Sequence, residues 1–175
     1  MKYIFGNLIS MGLNGDFDVI CQGCNIYNTM GGGLALEVRN RIPSAYAADL
    51  KTKKGDRSKL GKYTSTVEGN LTVVNAYTQA TYWDPDDAVN YPAIEKVMET
   101  IAYDFEGKSI GMPLIGAGLA GGKWEIIRDI IEKHLPDATI VVFNQADYNK
   151  IVASSFRPDK DVIIPLLQGA NIVLQ

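Results

Sequence analysis

The sequence predicts an α/β fold in which helices cover a sheet. Short apolar runs alternate with stretches of helical periodicity along most of the chain, the pattern of a layered α/β arrangement. Glycines cluster at Gly31, Gly32 and Gly33 and again from Gly116 to Gly122, each time where an apolar run gives way to a helical one. The run 139–143, Thr-Ile-Val-Val-Phe, is rich in β-branched apolar residues, as expected of a strand buried on both faces.

Residues 3–5 and 18–21 read as the first strands, with Asn14, Gly15 and Asp16 turning the chain between them. Leu34, Leu36, Val38 and Ile42 fit a short helix starting beside the first glycine cluster, and Pro43 interrupts it ahead of a second helical turn at 46–50. In the stretch 51–62, Lys51, Lys53, Lys54, Arg57, Lys59 and Lys62 outnumber Asp56; it reads as a solvated loop, with a phosphate-attracting rim as the alternative. Residues 63–67 and 71–77 make a hairpin across Glu68, Gly69 and Asn70. After an aromatic and acidic loop at 79–90, Ile94, Val97, Met98 and Ile101 recur at helical spacing, and Tyr103 and Phe105 close that helix. The next strand is 109–114. Past the second glycine cluster, a helix from Trp124 turns Ile126, Ile127, Ile130, Ile131 and Leu135 inward until Pro136 stops it. In the tail, 162–167 and 172–174 suit a strand or hairpin at a sheet edge, where Pro165 is tolerated.

With 175 residues the chain is one domain large enough to bury a core. Its net charge of −3 argues against electrostatically driven binding to nucleic acid or an anionic membrane, so nucleic acid is an unlikely partner. The start of the chain lacks the apolar stretch of a signal peptide and no run approaches membrane-spanning length, so the expectation is a cytoplasmic protein without membrane association. Cys21 and Cys24 form a CxxC, but zinc needs about four ligands and the chain adds only His134 to the pair. A redox CxxC opens a helix, whereas this one ends an apolar run, so two packed, reduced thiols are expected, with no metal and no cofactor. His134, at the far end of the helix from Trp124, reads as a helix C-terminal residue rather than a catalyst.

At a strand-to-helix junction, glycines let the backbone turn with positive φ and approach a ligand, while the unpaired N–H groups of the helix start point at it. One such loop is as often a plain turn. Two in one small domain indicate a cleft that holds a diphosphate from both sides, hence a nucleotide-like ligand. Gly116 to Gly121 match G-x-G-x-x-G, yet too little chain follows Gly122 for a dinucleotide-binding Rossmann domain. Neither cluster is followed by Gly-Lys-Ser or Gly-Lys-Thr, which excludes ATP hydrolysis of the P-loop type.

Four segments in order, Gly6-Asn7-Leu8-Ile9, Asp18-Val19-Ile20-Cys21-Gln22-Gly23-Cys24-Asn25, Met30-Gly31-Gly32-Gly33-Leu34-Ala35 and Met112-Pro113-Leu114-Ile115-Gly116-Ala117-Gly118-Leu119, resemble the macro domain, an ADP-ribose-binding family. Asn75-Ala76-Tyr77-Thr78-Gln79 and the Gly-Leu-Ala-Gly-Gly-Lys-Trp continuation of the second loop are most similar to its ADP-ribose 1''-phosphate phosphatase branch. The resemblance implies a three-layer α/β/α sandwich around a central mixed sheet over residues 1–150, with 151–175 an extension packed on or beside it. It places Asn7, with Leu8 beside it, where many members have an adenine-binding aspartate; an asparagine oxygen can still accept that bond, without the charge. It places Asn25 at the distal ribose, Gly31, Gly32 and Gly33 around the diphosphate and distal ribose, and Ile115, Gly116, Ala117, Gly118, Leu119 and Ala120 on the other side of the diphosphate. Phe143 and Asn144 fall beside adenine, though an apolar aromatic closing a buried strand can equally be packed core.

The lysine and aspartate of the family's deacylating branch align near Gln79 and Ala120, so a covalent lysine intermediate is not expected. What remains is a mechanism in which Asn25 and loop N–H groups orient the ribose for attack by water. The expected function is hydrolysis of ADP-ribose 1''-phosphate to ADP-ribose and phosphate, with Asn25 the catalytic residue. The alternatives are a non-catalytic ADP-ribose reader and a hydrolase that frees ADP-ribose from modified macromolecules. Tyr82, Asp86, Asp87 and Tyr91 receive no role.

Overall fold

Six strands form one mixed sheet in the order β1-β6-β5-β2-β4-β3, in a computed structural model that describes residues 1–155. The strands are β1 (Lys2–Phe5), β2 (Val19–Asn25), β3 (Tyr63–Glu68), β4 (Leu71–Gln79), β5 (Ile110–Met112) and β6 (Thr139–Val142). All neighbours pair parallel except β3 and β4, whose antiparallel register sets Glu68 opposite Leu71 and leaves a two-residue turn at Gly69 and Asn70. The helices are α1 (Leu8–Leu13), α2 (Gly33–Arg41), α3 (Pro43–Leu50), α4 (Tyr91–Asp104), α5 (Trp124–His134) and α6 (Gln145–Ser155).

Alternation along each parallel strand builds the three layers. Val19, Cys21, Val74, Ala76, Ile140 and Val142 face Ile94, Val97, Met98 and Ile101 of α4 and Ile127 and Ile131 of α5. Ile20, Val73 and Val141 face the opposite way, onto Leu8 and Ile9 of α1, Val38 of α2 and Ala45 of α3. Each fully buried isoleucine of α5 contributes about 1.5–3 kcal/mol through removal from water. The fold is therefore the α/β/α sandwich with a mixed sheet that the sequence suggests.

Several details differ from the sequence reading. Helix α1 was not anticipated, and neither was α6, which runs through residue 150. Pro43 does interrupt the helical pattern, but as the first residue of α3, where its missing N–H costs nothing. In α5, Ile127 and Ile131 are buried while Ile126 is exposed, one position off the inward stripe. Strand β6 ends at Val142, so Phe143 is outside the sheet and exposed. The expected strand or hairpin at 162–174 lies outside the described residues. No helix among the described residues is long and apolar enough to cross a membrane.

Candidate functional site

A cavity of about 1050 Å³ opens along the carboxyl ends of the parallel strands, where open α/β sheets place ligands. Four inter-strand steps separate β1 from β4, roughly 19 Å at the usual sheet spacing. The cleft thus suits an extended molecule with chemically different ends.

Its middle is built by loops from the adjacent strands β2 and β5. Helix α2 starts at Gly33 with Gly32 as its N-cap and no side-chain cap, so its first amides stay open. Among the described residues, the amides of Gly31, Gly32, Gly33, Gly118, Leu119 and Ala120 donate to no protein acceptor. Gly33 has φ +53° and Gly116 φ +72°, the left-handed region that disfavours side chains. A Cβ at Gly33 would sit 3.4 Å from Cδ1 of Leu119, so the two loops meet across the cleft. Ile115, Gly116, Gly118, Leu119 and Ala120 all line the cavity with Gly31, Gly32 and Gly33; Ala117 does not, being packed against the core. Gly118 has no positive φ, and a Cβ added there would meet no atom within 4 Å. Gly118→Val is accordingly expected to leave the melting temperature within about 2 °C of wild type, since it strains nothing, while its added bulk enters the cleft; thermal melting with and without ligand checks both halves.

At the β1 and β6 end the wall consists of Asn7, Leu8, Phe143 and Asn144, joined by Glu37 and Asp147, which sequence reasoning missed. Asn7 caps α1: its Oδ1 accepts from the Ser10 amide at 2.8 Å and its Nδ2 donates to Glu37 Oε1 at 3.0 Å. The oxygen expected to accept from a ligand is therefore committed to the helix. Leu8 is buried beneath the wall, and Asn144 starts α6 by accepting from the amides of Ala146 and Asp147. Phe143 is 75% exposed, which removes the packed-core alternative.

At the β2 and β4 end lie Asn25, Thr29, Gln79, Thr81 and Tyr82. Asn25 is fixed from both sides of its amide, Oδ1 accepting from the Tyr27 amide at 2.8 Å and Nδ2 donating to Thr29 Oγ1 at 2.8 Å. The segment behind it is wound tightly, with Asn28 at φ +58° and Met30 at φ +37°. Lys59 holds it: the ammonium donates to the Ile26 carbonyl at 2.9 Å, Asn28 Oδ1 at 2.8 Å and Thr52 Oγ1 at 2.7 Å. This lysine is buried, not part of a solvated basic loop or rim; burial pulls its pKa down, and Asp49 pulls it back up. The thiols of Cys21 and Cys24 are free and buried in and beneath β2, and burial pushes Cys21 up to about 12 and Cys24 well above the ordinary thiol range. Such thiols stay protonated and are poor nucleophiles.

Of the loop residues left without a role, Tyr82 lines the cavity, Asp87 pairs with Arg57 at 2.9 Å, and the Tyr91 hydroxyl accepts from the Lys123 amide at the start of α5. His134, at the end of α5, bonds to Glu95 of α4. Among the described residues no three His, Cys, Asp or Glu side chains gather as a metal site.

No protein-family model matches the chain. An uncharacterised 17.5 kDa protein of Enterobacteria phage T4 is 34% identical over 149 residues, covering 81% of this chain and 94% of that protein. A DNA ADP-ribosyl glycohydrolase of Mycobacterium tuberculosis is 23% identical over 138 residues, 75% of this chain but 39% of the relative. Among solved structures, a macrodomain protein from Streptomyces coelicolor superposes with a TM-score of 0.56 at 27% identity, covering 73% of this chain and 87% of that one. Thermosipho africanus DarTG in complex with ADP-ribose superposes with a TM-score of 0.64 at 17% identity, over 81% of this chain and 42% of that one. The chain has the macrodomain fold.

Proposed function

We propose that the protein binds ADP-ribose along this cleft and hydrolyses ADP-ribose 1''-phosphate to ADP-ribose and phosphate. The observation that carries the reading is the set of six open amides on two facing loops, midway between an exposed aromatic at one end and a fixed carboxamide at the other. That order matches a base, a diphosphate and a distal ribose. Amide groups aimed at phosphoryl oxygens stabilise charge without reorganising, the largest single contribution such a site can make. Asn25 orients the distal ribose through the amide hydrogen and oxygen lone pair that its own turn leaves free. Water adds to phosphorus, the bond from phosphorus to the anomeric oxygen breaks, and that oxygen leaves with a proton. Among the described residues no lysine lines the cavity, in keeping with direct attack by water rather than a covalent lysine adduct.

Asn25→Ala is expected to lower kcat for ADP-ribose 1''-phosphate about 100-fold while weakening ADP-ribose binding less than about 10-fold, because misplacement costs more in the transition state than in the ground state. Phosphate release together with calorimetry checks this, and equal losses would remove the catalytic role. A second reading, release of ADP-ribose from a modified macromolecule, draws on Tyr82 and Trp83, both exposed and packed edge-to-face with each other at the distal-ribose end. Wild-type protein that frees ADP-ribose from a modified polymer but no phosphate from the ester would select it.

A further inference from the structure

We infer that Glu37, not Asn7, is the residue that reads the base of the bound nucleotide, and that with Asn7 it selects adenine over hypoxanthine. The inference rests on the ADP-ribose reading of the cleft and adds the base specificity of that site. Its ground is the hydrogen-bond pattern at the β1 and β6 end. Asn7 Oδ1 accepts from the Ser10 amide at 2.8 Å and from Arg41 at 3.4 Å, which uses its lone pairs. Its Nδ2 gives one hydrogen to Glu37 Oε1 and keeps one. Glu37 Oε1 also accepts from Arg41 at 3.0 Å, whereas among the described residues Oε2 accepts from nothing. Both residues line the cavity, as does the exposed Phe143.

The pair therefore presents one open carboxylate acceptor next to one open amide donor. Adenine's edge offers the complement, an exocyclic amino donor beside the ring N1 acceptor. Hypoxanthine inverts both, with a carbonyl facing the carboxylate and an N–H facing the amide donor. A polar group left facing its own kind across the base edge loses its bond without a replacement, so the wall discriminates between the two bases. Arg41, bonded to Glu37, Asn7 and Ser10 Oγ, sets the geometry from the solvent side. Asp147 also lines the cavity, but among the described residues no bond ties its carboxylate to Asn7 to set it in register with the donor.

Calorimetry of ADP-ribose against inosine diphosphate ribose tests the inference. Wild type is expected to prefer ADP-ribose by at least about 10-fold, the scale of one charge-assisted hydrogen bond. Glu37→Gln, isosteric and at a partly exposed position, is expected to fold normally and to abolish the preference for adenine, because Asn7 and Arg41 both donate to Oε1 and would hold the carboxamide oxygen there, leaving its NH2 where the open acceptor was. Asp147→Asn should leave the ratio unchanged. Asn7→Asp combined with Glu37→Gln returns a carboxylate to the wall and should restore the preference for adenine. Wild type that binds both ligands equally, or a preference that survives Glu37→Gln, overturns the assignment while leaving the ADP-ribose site standing; loss of the preference in Asp147→Asn instead transfers the role to Asp147. Failure of wild type to bind ADP-ribose overturns both readings together.

Discussion

Replacing Lys59 with methionine is expected to lower the stability of the protein by about 3–5 kcal/mol, the range for removing one member of a buried charged network. The ammonium ties the Ile26 carbonyl, Asn28 Oδ1 and Thr52 Oγ1 together in the interior of the loop cluster, and among the described residues Asn28 Oδ1 has no other donor. Without it that oxygen is left buried and unpaired and the other two each lose a bond, at about 1–3 kcal/mol for an acceptor that water cannot reach. Asp49, buried and bonded from the Tyr77 hydroxyl at 2.7 Å, loses its neighbouring cation as well. For a domain of this size the melting temperature should fall by about 10 °C. The damage should also reach the cleft, because Ile26 and Asn28 follow closely on Asn25 and the left-handed turn at Asn28 and Met30 is held down by these bonds. Urea denaturation of Lys59→Met measures the first effect. A loss below about 1 kcal/mol would show that the buried ammonium is not what secures the loop.

The second large effect belongs to Gly33. Gly33→Val places a β-branched residue at φ +53°, at about 1–3 kcal/mol of strain, and drives its Cβ toward Leu119 at 3.4 Å. The response is a shift of the start of α2, which carries the open amides of Gly31, Gly32 and Gly33. Losing two or three hydrogen bonds to a charged group weakens binding by about 100-fold or more. The fully buried residue of α2, Val38, lies more than one turn away, so the far-ultraviolet spectrum should be retained. Affinity for ADP-ribose reduced less than about 10-fold would place the diphosphate elsewhere.

How far the sequence spoke depended on whether a signal was periodic or merely contextual. Strands β2, β4, β5 and β6 are apolar runs with turn residues at their ends, and both glycine loops stand out because their positions combine flexibility with a strand before and a helix after. Helix α1 has six residues, too few to show a 3.6-residue period, and only its cap at Asn7 marks it. Helix α6 is largely polar, with Tyr148 and Ile151 packed against the core, so its pattern is indistinct from a loop. Lys59 was hidden by its company: in a run of six basic residues nothing marks the one whose ammonium turns inward, because the acceptors that hold it come from Ile26, Asn28 and Thr52, distant or unremarkable in sequence. Glu37 was obscure for a related reason. Its significance depends on Asn7, thirty residues earlier, being used as a helix cap. Ala117 and Ile126 show the opposite limit, since a motif or a stripe fixes which segment matters but not which side chain of it turns in.

Titration calorimetry with ADP-ribose is the decisive measurement for the cleft. Saturable binding of one molecule per chain is expected, with thermal stabilisation of about 2.7 kcal/mol at a hundredfold excess over the dissociation constant, a rise in melting temperature of roughly 5–10 °C, and loss of both in Gly33→Val. The absence of any heat or melting shift at millimolar ADP-ribose, in protein that melts cooperatively, would contradict an ADP-ribose site between the two glycine loops.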